Sequence, residues 1–231
     1  MSGILQSHED FDRAEVAFFA GLQTLLHART KSLPRKISRI CAVDASYRSN
    51  RVAAVATEAV DGLVVERSVY TGHFSFPYAA GLLYLHEGPF VTEAVNTLKV
   101  RPQLVCFDAH GAAHPRFMGL ATIAGMVLGI PSIGIAKSIL VGKVEPYDEA
   151  IRRIAYNGLE VGFATGKGAT KYWSPGYSVT LDDLEMLMRE QGSTCLKLME
   201  ESHRVAGEKA RAWGDSLSEH ACQVRRNHAS R

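Results

Sequence analysis

Three carboxylates and one ammonium, Asp44, Glu87, Asp108 and Lys137, each stand at the end of a short apolar run or a helical segment. Taken singly, each is an ordinary turn former, helix cap or surface charge. Taken together they define a chemistry. Three acids around one point repel one another unless a cation lies between them, and a hard divalent ion such as Mg²⁺ prefers that oxygen set. Such a centre suits metal-assisted phosphodiester hydrolysis. The ion would polarise the phosphoryl oxygens and lower the pKa of the attacking water, while Lys137 would counter the charge that grows in the transition state. His110 and His114 flank Asp108 closely enough to suggest a metallophosphoesterase motif or a zinc site instead. The chain lacks the helical His–Glu–His spacing and the further Asp/Asn/His motifs such sites need, so the oxygen centre is preferred.

The elements that must bring these groups together can be read from hydrophobic spacing. Residues 40–46 form a β-prone run that carries Asp44. Residues 52–59 and 63–70 flank Asp61-Gly62, a strong hairpin signal, so the first three strands form an antiparallel meander. Residues 82–87 read as a short helical segment ending at Glu87. Pro89 then opens a helix whose stripe is Phe90, Val91, Ala94, Val95 and Leu98. The run 104–107 is a buried strand delivering Asp108. A helix expected from Pro115 to Leu128 is stopped by Gly129 and Pro131, and 132–136 is a strand delivering Lys137. A strand–helix–strand crossover makes the last two strands parallel, which puts Asp108 and Lys137 on one edge, where ligands of open α/β sheets collect. The order predicts an α/β, ribonuclease H-like fold: a mixed central sheet of a three-strand meander plus two parallel strands, flanked by helices.

Outside that core the expectations are simpler. Phe11, Ala14, Phe18, Leu22 and Leu25 predict an opening amphipathic helix, followed by a basic connector over 27–39. Residues 148–156 read as a short helix and 158–168 as a glycine-rich loop. That loop lacks the spacing and the Ser or Thr of a P-loop. Residues 172–180 suggest an extended pair around Pro175-Gly176. One helix then carries Leu181, Leu184, Leu187 and Met188, and a separate final helix covers 202–223. The whole chain, 1–231, is expected to be one domain with its core at about 38–190 and helical extensions at both ends.

Composition narrows the setting without naming a partner. The apolar share is 46%, the charged share 22% and the net charge +2, ordinary for a globular protein and too weakly basic to announce nucleic acid. Cys41, Cys106, Cys195 and Cys222 form no CxxC pair, which suits a reducing, cytoplasmic setting. His8, Glu9, Asp10 and Asp12 occupy the place of a signal peptide's apolar core, and no apolar stretch is long enough to span a bilayer.

Four ordered motifs, Cys41-Ala-Val-Asp44-Ala-Ser-Tyr47, Pro77-Tyr78 through Glu87-Gly-Pro89, Asp108-Ala-His-Gly-Ala-Ala-His-Pro-Arg116 and Gly134-Ile-Ala-Lys137-Ser138, closely resemble those of the endonuclease V family. The resemblance runs from the N-terminal helix to about Leu184. It implies a magnesium-dependent repair nuclease, with Mn²⁺ able to substitute, that recognises deoxyinosine in DNA and cuts the second phosphodiester bond on its 3′ side. Inosine in RNA is the alternative substrate, and a weakened nucleic-acid-binding relative the alternative role. The resemblance further implies a monomer without an organic cofactor or membrane partner. Asp44, Glu87 and Asp108 match the family's metal-binding acids and Lys137 its catalytic lysine. Tyr78 matches the aromatic wedge, Gly81 and Gly111 fit the lesion pocket, and His114 and Arg116 fit phosphate contacts.

The chain departs from the family in three places. The wedge reads Pro77-Tyr78-Ala79-Ala80 rather than Pro-Tyr-Ile-Pro. Tyr177 follows Pro175-Gly176 where the family has His. Gly207 follows Arg204-Val205-Ala206 where the family commonly has His or Asp, which leaves a fourth metal-proximal side chain missing unless a register shift lets His203 or Glu208 replace it.

Overall fold

A computed structural model describes Leu33, residues 36–166 and residues 170–228, with side chains as far as residue 213. The helix expected at 11–25 and most of the basic connector lie outside the described residues. Strands β1 (Arg39–Arg48), β2 (Arg51–Val60) and β3 (Leu63–His73) form the expected meander. Asp61 and Gly62 both take positive φ, 47° and 80°, as the tight hairpin turn requires. Strand β4 (Leu104–Phe107) is buried along its whole length, lies between β1 and β5 (Ser132–Ala136), and is parallel to both.

Helices α1 (Leu83–His86), α2 (Gly88–Asn96) and α3 (Leu120–Leu128) follow the predicted order. Gly129, with φ 63°, closes α3 as a left-handed cap. The start of α3 was expected at Pro115 and falls instead at Leu120. Residues before it turn back on the sheet: the Gly119 amide donates to the Gly111 carbonyl at 2.9 Å and the Ala121 amide to the His110 carbonyl at 3.1 Å. A Cβ on Gly119 would lie 2.2 Å from the His110 oxygen, so only glycine permits this approach.

The sheet continues well past the five expected strands. Strands β6 (Lys143–Pro146), β7 (Ile151–Tyr156), β8 (Leu159–Thr165) and β9 (Lys171–Pro175) complete the order β3-β2-β1-β4-β5-β9-β8-β7-β6. The helix expected at 148–156 is therefore a turn and a strand. Asp148 accepts the amides of Ala150 and Ile151 at 2.8 and 2.7 Å, forming the turn, and an irregularity between Ile154 and Ala155 disturbs the alternation that would have marked β7. Likewise the glycine-rich loop expected at 158–168 is largely β8. Asn157 and Gly158, with φ of 50° and 76°, supply its tight turn.

Two separate C-terminal helices were expected, and the chain forms a single 48-residue helix, α4 (Leu181–His228). Its start is fixed by reciprocal bonds: the Asp183 amide donates to Thr180 Oγ1 at 3.1 Å and the Thr180 amide to Asp183 Oδ2 at 3.0 Å. Leu184, Leu187, Cys195, Leu198 and Met199 of α4 cover the sheet face that carries Ile40, Ala42, Leu104, Cys106 and Ile135. The opposite face, with Cys41, Val43, Val105 and Phe107, packs against α2 and α3. Strand alternation thus assigns each rim residue to a layer before any contact is considered.

Candidate active site

Val43 of β1 is in register with Phe107 of β4, so the residues that follow, Asp44 and Asp108, stand side by side where the parallel ladder between the two strands ends; β4 stops there, while β1 runs on to Arg48 against β2. By alternation both belong to the face covered by α4. Lys137, two residues beyond Ile135 on β5, shares that face, and its Nζ donates to Asp108 Oδ2 at 2.5 Å. From α4 itself comes His203, whose Nδ1 lies 2.6 Å from Asp44 Oδ2 and 3.5 Å from Lys137 Nζ. Ser202 fixes the helix at this level: its buried hydroxyl donates to the Ala42 carbonyl at 2.9 Å and lies 2.8 Å from Thr57 Oγ1. One oxygen each of Asp44 and Asp108 and one ring nitrogen of His203 lie within 4.8 Å of one another. Neither loop histidine belongs to that set, so the zinc alternative finds no support among the described residues.

Glu87 approaches from the other layer, at the junction of α1 and α2, and stays outside that set. It nevertheless senses the acids. Burial, then the charges of Asp44 and Asp108, push its pKa up to about 8. Asp44 is raised as well, by burial first and then by Asp108, against the opposing pull of His203 and Lys137. Burial alone would lower Lys137, but its hydrogen bond to Asp108 and the surrounding negative charge hold it above an ordinary lysine. The rim therefore carries more negative charge than Lys137 balances. Two carboxylates and an imidazole nitrogen within a few ångströms, with a third acid driven to take up a proton, fit a divalent cation.

The raised Glu87 predicts an inverted pH response of stability. Above pH 6.5 the unfolded chain has released the Glu87 proton while the cation-free folded chain still holds it, so stability falls as pH rises towards 8. The expected loss is about 2 kcal/mol between pH 6.5 and 8. His114, lowered to about 4 by burial and then by Arg116, and His110, lowered by burial, act below that window, where acid destabilises them. Denaturant melts with EDTA would show the slope, and Glu87→Gln should flatten it. An unchanged slope in that variant would assign the effect elsewhere.

Beside the acids lies a cavity of about 300 Å³ lined by Tyr78, Gly81, Tyr84, His110 and His114 and sharing Asp108 and Lys137 with the cluster. Tyr78 is 65% exposed at its mouth, with its ring edge-on to His86. Below it Phe74 stacks on His86 with centroids 3.7 Å apart, and His86 Nδ1 lies 2.7 Å from the Phe76 carbonyl, which gives the loop carrying Tyr78 a rigid base. The Gly81 carbonyl is gripped by Arg116 Nη2 at 2.6 Å and His114 Nε2 at 3.1 Å, while His114 Nδ1 accepts the Arg116 amide at 3.2 Å. Both nitrogens of the buried His114 are thus engaged in holding the cavity wall. Gly81 needs its freedom, with φ 77° and Arg116 3.0 Å from any Cβ. Gly111 sits behind the wall, its amide on Ser174 Oγ at 2.8 Å and Pro175 oxygen 2.2 Å from where a Cβ would be.

Paired carboxylates and a lysine on the carboxyl edge of a ribonuclease H-like sheet define a nuclease scaffold. The family model of Endonuclease V matches residues 22–194, and the chain belongs to the Endonuclease V family. Endonuclease V of Desulfurococcus amylolyticus is 34% identical over 169 residues, covering 71% of this chain and 77% of that one. The Sulfolobus acidocaldarius protein of the same name is 36% identical over 153 residues, with 66% and 74% covered. Among solved structures, Endonuclease V of Streptomyces avermitilis superposes with a TM-score of 0.71 at 25% identity, covering 90% and 95%. The Ciona intestinalis Endonuclease V D234N variant, solved with a 23mer DNA containing an inosine followed by a ribo-adenosine, gives 0.75 at 15% identity, covering 87% and 99%. At that identity the likeness establishes the fold alone. The described residues include no helix long and apolar enough to cross a membrane.

Proposed function

We propose that this chain is a repair endonuclease that hydrolyses a phosphodiester bond on the 3′ side of deoxyinosine in DNA, with Mg²⁺ as cofactor and Mn²⁺ able to substitute. The observation that supports this most is adjacency: the base-sized cavity and the Asp44–Asp108–His203 cluster share Asp108 and Lys137. A base turned out of its strand into that cavity leaves its own backbone running over the acids. Tyr78 would fill the gap by stacking, and Gly81, its carbonyl pinned by Arg116 and His114, would hold the cavity wall beside the base. Asp44, Asp108 and His203 would hold the cation, with Glu87 closing from the opposite layer. When bound, the cation supplies charge to the phosphoryl oxygens and acidifies the attacking water. Lys137 stays protonated against Asp108 and stabilises charge developing on the phosphate.

The test is a side-by-side cleavage assay on otherwise identical strands carrying adenine, deoxyinosine or riboinosine. Cutting of the deoxyinosine strand supports repair. Cutting confined to riboinosine redirects the assignment to RNA, and no preference for either over adenine overturns it. Tyr78→Ala is expected to reduce discrimination between inosine and adenine strands by about tenfold, the scale of one stacked base. Equal discrimination by the two proteins would remove Tyr78 from the wedge role.

A further inference from the structure

Asp108 and Lys137 form a partition with a cavity on each side. Opposite the base cavity lies a second one, of about 150 Å³, enclosed by β5, β9 and α4. Its floor is apolar, made by Ile135, Leu196 and Met199, and its rim is charged, carrying Lys171, Glu200 and His203 beside the partition. Lys171 is half-buried at the start of β9, and among the described residues no carboxylate pairs with it. An ammonium that has lost part of its hydration without gaining a counter-charge favours an anion, and a charge-assisted bond would compensate it. An apolar floor with one waiting cation at its edge matches a ligand that is flat and weakly polar at one end and anionic at the other.

We propose that this second cavity is a subsite for the nucleotide that follows the scissile phosphate, on the side away from the flipped base. Its base lies over Leu196 and Met199, and the phosphate beyond it is held by Lys171. This rests on the proposed nuclease reading. A strand that places one base in the first cavity and a phosphate over the acids must continue past the partition, and the second cavity is where it arrives. Glu200 is the one carboxylate on the rim outside the metal cluster, and it opposes the incoming phosphate.

The experiment measures binding of inosine-containing single strands by anisotropy with EDTA present, so that no strand is cut. The strands differ in one position, an uncharged methylphosphonate replacing the phosphate assigned to Lys171. That replacement should weaken the unaltered protein about tenfold, the scale of one charge-assisted hydrogen bond. Lys171→Ala should bind the charged strand about tenfold more weakly and be indifferent to the replacement, Lys171→Arg should retain the response, and Glu200→Gln should tighten binding. A full tenfold response in Lys171→Ala overturns the subsite. Cleavage of the deoxyinosine strand with Mg²⁺, run in parallel, separates the two ideas. Normal cutting without the Lys171 response leaves the nuclease reading standing and removes the subsite, whereas a protein that neither binds nor cuts inosine strands removes both.

Discussion

Asp108→Asn is expected to lower single-turnover cleavage of a deoxyinosine strand by about a thousandfold or more, because it removes a charge from the centre proposed to hold the cation. The substitution keeps the side chain's shape and deletes its charge. Lys137 then loses the carboxylate to which it is bound at 2.5 Å, while Asp44 and Glu87 lose a negative neighbour. The second consequence has the opposite sign. Cation-free Asp108→Asn should be more stable than the unaltered protein near pH 8, since less repulsion remains on the rim. Activity lost together with stability gained distinguishes a charge centre from a fold-bearing hydrogen bond, whose removal would reduce both. Turnover within tenfold of the unaltered protein would exclude Asp108 from the cation site. The same loss of activity is expected for Asp44→Asn.

Those residues could be found from sequence because their positions are dictated locally. Asp44 and Asp108 each follow a short apolar run, the crossover through α3 joins two parallel strands, and Asp61-Gly62 admits only a tight hairpin. The far half of the sheet was hidden for physical reasons. In β7 the irregularity at Ile154 and Ala155 shifts the alternation, and in β8 Gly162 packs against the Trp173 carbonyl where a side chain would have advertised a strand. The longest-range element was the least visible. The buried stripe of α4 runs through Leu184, Leu187, Cys195, Leu198, Ser202, Ala206 and Ala210 without a break, and reading it as two helices hid the register. Had the stripe been followed from Leu196 and Met199, the spacing of seven and four residues would have placed His203 on the flank facing the acids. Gly207 looked like a missing ligand for the same reason. It lies one helical turn beyond His203, on the same side of α4.

His203→Ala is accordingly expected to weaken Mn²⁺ binding to the protein by roughly tenfold or more, measured by calorimetry without substrate. On the proposed reading the imidazole would contribute a borderline nitrogen to a centre otherwise made of hard oxygens, a set that suits Mn²⁺ better than an all-carboxylate one. His203→Asp should therefore keep affinity for Mg²⁺ while losing part of its preference for Mn²⁺. A second variant tests whether the helix simply offers one ligand from either of two turns. In His203→Ala, the further change Gly207→Asp should recover cation binding, because positions four apart share a helix face and the nearest atom to a Cβ at Gly207 is the flexible Arg211 guanidinium at 3.2 Å. Recovery would show that this chain moved the helix-borne ligand by one turn without changing the centre it serves. Mn²⁺ affinity unchanged in His203→Ala would instead leave the 2.6 Å contact to Asp44 as a bond that only orients the carboxylate.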